Sequence, residues 1–170
     1  MKTNQNFTII YILLALAQMV ICNYCRISPF IYVTILPAMV LALPQKINTA
    51  LSMVIAFITG LAVDFLSEGI IGLNTLSLVP VAFIRHPLLQ MATGEENSGK
   101  DSPFGLKSAG IGKVLVTVIV AYAVFLSVYV MADSAGVRPL WFNAARFGAS
   151  LVADSLLALL VIHVLTTKDR

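Results

Sequence analysis

Gly60-Leu61-Ala62-Val63-Asp64-Phe65-Leu66-Ser67-Glu68-Gly69-Ile70-Ile71-Gly72-Leu73-Asn74 decides how this chain is read. An apolar run ends on an acidic side chain, a short turn follows, and a second apolar run begins. A charged group at the centre of a bilayer costs about 2.5–3.5 kcal/mol on insertion scales, and less toward the headgroups. Whatever holds Asp64 there is therefore a clue to what the chain does.

The rest of the sequence has the composition of a lipid-soluble protein. Of its 170 residues, 59% are hydrophobic and 11% charged, and the mean hydropathy is +0.93. Soluble domains carry about 25% charged residues, so a water-soluble core is excluded. The length suits a single membrane domain, residues 1–170. Two cysteines make no disulfide framework. A helix across a bilayer needs about 20 apolar residues. Six runs approach this, at about 7–24, 29–44, 47–66, 70–89, 112–132 and 141–165, predicting an all-α integral membrane protein with six transmembrane helices. The second run is short, contains Pro37 and stops at Pro44. The polar stretch at about 91–111 reads as a cytoplasmic loop between two groups of three helices.

Basic residues set the orientation. With six spans, Lys2, Lys46, Arg85, Lys100, Lys107, Lys113, Lys168 and Arg170 share one side, against Arg26 and Arg138 on the other. The positive-inside rule then places both termini in the cytoplasm. Without a crossing by the second run, that asymmetry collapses. The first run lacks a small-x-small cleavage site and is longer than a usual signal core, so it reads as a retained helix.

Five places stand out as chemistry or as packing. Ala56, Gly60 and Asp64 form a stripe that lets a second helix approach and meets it with an acid. Its plain reading is helix pairing or an ion pair; the sharper one is proton or substrate chemistry. The last span carries Arg146 and Asp154, about 12 Å apart along the axis and so not paired with each other. Arg146 and Asp64 lie at similar depth and are expected to be neighbours, or joined through water. Asp154 is the deepest charge, expected to face protein or a polar cavity. Arg85-His86-Pro87 ends the fourth span and reads as a snorkelling arginine. Cys22-Asn23-Tyr24-Cys25 closes a membrane helix, which suits neither redox nor metal chemistry. His163 reads as an interface residue. No H-E-x-x-H, G-x-S-x-G or P-loop is present, so neither enzyme, metal, cofactor nor nucleic-acid binding is expected.

Over residues 30–89 the pattern is more specific. It comprises Tyr32 in an aromatic-apolar run, Leu43-Pro44, Phe57-x-x-Gly60-Leu61-x-x-Asp64-Phe65-x-Ser67-x-x-x-x-Gly72-Leu73-Asn74, and Ala82-Phe83-Ile84-Arg85. This resembles the rod shape-determining MreD family of bacterial inner-membrane proteins. The resemblance implies a fold similar to the S-components of energy-coupling-factor transporters, with Gly60, Asp64, Gly72 and Arg85 as signature residues for partner binding or structure. It also implies a non-enzymatic scaffold that works with an MreC-like protein, and through it with MreB filaments and the RodA/penicillin-binding transpeptidase pair in peptidoglycan synthesis. The alternative is an S-component that binds a vitamin or other small molecule; Ala38-x-x-x-Ala42 resembles the small-residue surface such proteins offer to their transport partner, though small-x-x-x-small is common in membrane helices.

Overall fold

A computed structural model of the chain describes residues 2–24, 31–44, 47–68, 71–93, 111–135 and 137–167. Within these the protein is helical, with no β-strand. The elements are α1 (Lys2–Tyr24), α2 (Leu36–Leu41), α3 (Thr49–Val63), α4 (Leu73–Thr93), α5 (Ile111–Ser134) and α6 (Leu140–Thr167). A π-helical turn, Asp64–Glu68, extends α3. The stretches Thr49–Ser67, Gly112–Ser134 and Leu140–Val161 are each long and apolar enough to cross a membrane. The expected loop lies mostly outside the described residues, as do Cys25, Arg26 and most of the lysines used for orientation.

Helix α3 packs on α4, α4 on α5, and α5 on α6. Large apolar side chains point outward along this row, among them Phe57, Ile58 and Leu61 on α3, Val116 and Met131 on α5, and Val152, Leu156 and Leu160 on α6. So much exposed apolar surface suits hydrocarbon as the solvent.

The second apolar run departs from expectation. An uninterrupted helix was expected over 29–44; its described part is a non-helical stretch, 31–35, followed by the six-residue α2. Pro37 explains the late start. Its ring is tolerated in the first turn of a helix, where no intrahelical N–H bond is required. Every residue of α2 is buried, and α2 touches each of the other five helices. The weakest expected span is therefore the centre of the bundle. It follows α4 along its length: the Tyr32 hydroxyl bonds Asn74 at the start of α4, and Leu43 and Pro44 meet Arg85. Those two α4 positions are about 16 Å apart along a helix axis.

Candidate functional site

Non-helical backbone inside an apolar bundle needs partners for its polar groups, because hydrocarbon offers none. Side chains from three helices supply them to residues 32–36. The Tyr32 N–H donates to Ser150 Oγ (2.9 Å), the Thr34 N–H to Asp154 Oδ1 (3.0 Å) and the Ile35 N–H to Gln18 Oε1 (2.7 Å). The Tyr122 hydroxyl donates to the Thr34 carbonyl (3.0 Å), and Thr34 Oγ1 accepts from the Leu36 N–H. Ser150 and Asp154 are four apart on α6, a rise of about 6 Å; Tyr32 and Thr34 are two apart, about 6.6 Å in extended chain. The two rises match, so one helix face can serve alternate N–H groups of the segment.

Asp154 is fully buried and faces this backbone. Its second oxygen, Oδ2, has no hydrogen-bond partner among the described residues. Asp154→Asn keeps an acceptor for Thr34 and removes the titratable carboxyl, whereas Asp154→Ala leaves the Thr34 N–H unpaired at a cost of about 1–3 kcal/mol. The alanine variant is expected to melt well below the asparagine variant in detergent. Equal melting would mean that the Thr34 bond contributes nothing.

Asp64 makes a second clasp. Its carboxylate has no exposed surface and accepts four hydrogen bonds from the start of α4. Oδ2 takes the Gly72 N–H (3.0 Å), the Thr75 N–H (3.1 Å) and the Thr75 hydroxyl (2.7 Å); Oδ1 takes the Asn74 N–H (2.8 Å). A helix N-terminus has unsatisfied N–H groups and a partial positive charge, so an anion is favourable there even away from water. Asp64 thus caps α4 from the end of α3. Gly72 enables the turn with φ of +102°, a conformation open to glycine. Gly60 lets the helices close: a Cβ there would lie 2.7 Å from Thr75 Cα. Gly60→Ala must push α4 away, costing about 1–3 kcal/mol as for other overpacked sites. It should lower the melting temperature without altering helix content by circular dichroism, and an unchanged melt would show that the contact is loose.

Arg85 is the largest fully buried side chain, with 1% exposure. It does not snorkel, as the sequence suggested. Its Nη2 donates to the carbonyls of Leu43 and, at 3.0 Å, Pro44. The reason is local: past α2 the chain leaves carbonyls without helical donors, and a guanidinium meets them inside the bundle.

Arg146 does not adjoin Asp64. It pairs with Asp133 at the end of α5, and Arg138 bonds the same Asp133 oxygen at 3.0 Å. Asp64 has no oxygen to spare, and Asp133 is nearer. The two charges are nevertheless at one end of the bundle. Asn74 joins Asp64 to Tyr32, the Tyr32 ring stacks on Tyr129 with centroids 4.0 Å apart, and the Arg146 guanidinium lies 5.7 Å over Tyr129. Cys22 is buried and accepts a bond from Gln18 Nε2. The side chain of His163 lies outside the described residues.

Sequence reasoning missed Gln18, Tyr122, Ser150 and Asp133. One signal was available: Arg146, Ser150 and Asp154 recur every four residues, and a polar stripe on an apolar helix has to face something polar. Among the described residues no three His, Cys, Asp or Glu come together as a metal site would need. The arrangement anchors backbone: acids and amides hold N–H groups, while an arginine and a tyrosine hold carbonyls. Comparison with protein-family models, curated proteins and solved structures returns no match.

Proposed function

We propose that this chain is a non-enzymatic scaffold of the cell-elongation machinery in the bacterial inner membrane, on the pattern of the MreD family. In this reading the chain crosses six times, the second time through the broken segment 31–44. Both termini are cytoplasmic, and the fold is like that of transporter S-components. It works beside an MreC-like partner to direct lateral peptidoglycan synthesis.

One observation supports this best. The residues that carry the resemblance build architecture: Gly60, Asp64 and Gly72 set the α3–α4 junction, and Arg85 holds the end of the central segment. Every Asp64 oxygen is occupied by α4 donors, which suits a rigid framework presenting its surface to other membrane proteins better than a reacting acid. Copurification tests the reading. Detergent-solubilised protein should bring down an MreC-like protein, and its depletion should round up rod-shaped cells. Recovery of an energy-coupling ATPase module, with no MreC-like protein, would replace the scaffold with a transporter S-component.

A further inference from the structure

The turn between α5 and α6 carries more charge than its own pairing consumes. Arg138 and Arg146 share one carboxylate oxygen of Asp133, so among the described residues the cluster keeps a surplus of one positive charge. A guanidinium has five N–H donors. Each arginine places an Nη1 on Asp133, and Arg146 Nε is buried with no hydrogen-bond partner among the described residues. The Arg138 side chain is 44% exposed. Neither group hangs free, because Arg138 lies 5.5 Å over the Phe142 ring and Arg146 is held over Tyr129. Rings in these positions hold a guanidinium plane in place before any anion arrives.

The surroundings are apolar and exposed. Val137 and Leu140 are among the most exposed hydrophobic residues, and Trp141 is 68% exposed. Tryptophan favours the headgroup level of a bilayer, and this is the chain's one tryptophan. The first turn of α6 begins at Leu140, where a helix N-terminus adds unsatisfied N–H groups and partial positive charge.

We propose that the Arg138–Arg146–Asp133 cluster, with Trp141 beside it, binds the phosphate of an anionic phospholipid headgroup. The exposed Arg138 takes the phosphate oxygens with the donors that Asp133 leaves unused, while the buried Arg146 holds Asp133 from inside. Val137, Leu140 and Trp141 lie against the glycerol and upper acyl chain. That apolar collar is what selects a lipid over a free ion, which has no use for it. The site does not depend on the scaffold reading, since any membrane protein with this turn would have it.

Trp141 supplies the readout. The full chain is placed in nanodiscs in which brominated phosphatidylglycerol, or brominated phosphatidylcholine, replaces part of the lipid, and Trp141 quenching is measured. One basic group near a membrane surface gives about a fivefold preference for anionic lipid. Phosphatidylglycerol should therefore quench at about a fifth of the mole fraction that phosphatidylcholine needs. Arg138→Gln should abolish the preference, and Arg138→Lys should keep most of it while reporting that the turn still folds. Equal quenching by the two lipids, or a preference that survives Arg138→Gln, would overturn the assignment. So would loss of the preference in inorganic phosphate but not in sodium chloride of equal ionic strength, which would make this a soluble-anion site.

Discussion

Asp64→Ala is expected to lose about 3–5 kcal/mol of stability, because each buried donor left without an acceptor costs about 1–3 kcal/mol. Four α4 donors lose their acceptor together, and three of them are backbone N–H groups that cannot turn elsewhere. No water reaches the site, because the carboxylate has no exposed surface. Asp64→Asn should fall between. Its single amide oxygen can replace Oδ2, which takes three of the four bonds, but its NH2 then faces the Asn74 N–H. The measurement is thermal unfolding in detergent, followed by the fraction of monodisperse protein. Partner copurification should fall in parallel with folded protein. If Asp64→Ala melted like the wild type yet lost its partner, the acid would belong to a binding surface and the capping account would be wrong.

Arg85→Ala is expected to be comparably damaging, about 3–5 kcal/mol, from the cavity and the unpaired Leu43 carbonyl together. The Leu43 carbonyl loses its side-chain donor, the Pro44 carbonyl keeps only the Ile47 N–H, and a large cavity opens where the longest buried side chain was. Arg85→Lys keeps the charge and one of the two bonds, so it should recover part of the loss. Arg85→Met fills the volume without any donor, which separates packing from hydrogen bonding. If the methionine variant were as stable as the wild type, the Leu43 carbonyl would have to find water. Arg85 would then be the snorkelling residue that its place near a span end suggested.

The two clasps follow one electrostatic rule. Asp64 meets N–H groups, the positive end of the backbone dipole, and Arg85 meets carbonyls, the negative end. Each charge is placed at an end of an element that the chain itself interrupts, one at the Gly72 turn and the other after α2. In a bilayer such interruptions are tolerable only where protein groups replace water.

The membrane class was legible from composition, because long uncharged runs admit no other solvent. The α3–turn–α4 unit was legible too, since glycines and an acid at those spacings point to close helix approach. The sequence also marked the second run as abnormal through its length and Pro37. What it lacked was the run's actual shape. Hydropathy measures whether a segment prefers an apolar environment, and a broken central segment prefers it as strongly as a lipid-facing helix does. The cue was distributed over Asp154, which stood out as a deep acid, and Gln18, Tyr122 and Ser150, each unremarkable alone.

Read alone, the sequence requires a helical, apolar chain, a turn between α3 and α4, and partners for Asp64, Arg146 and Asp154. Those are properties of local pattern and of the cost of burying charge. Tertiary structure alone decided who the partners are. Asp64 goes to the α4 N-terminus, Arg85 to Leu43 and Pro44, Arg146 to Asp133, and Asp154 to the Thr34 backbone. The choice depends on which unsatisfied backbone group lies within about 3 Å once the helices have packed, a distance that no one-dimensional pattern encodes.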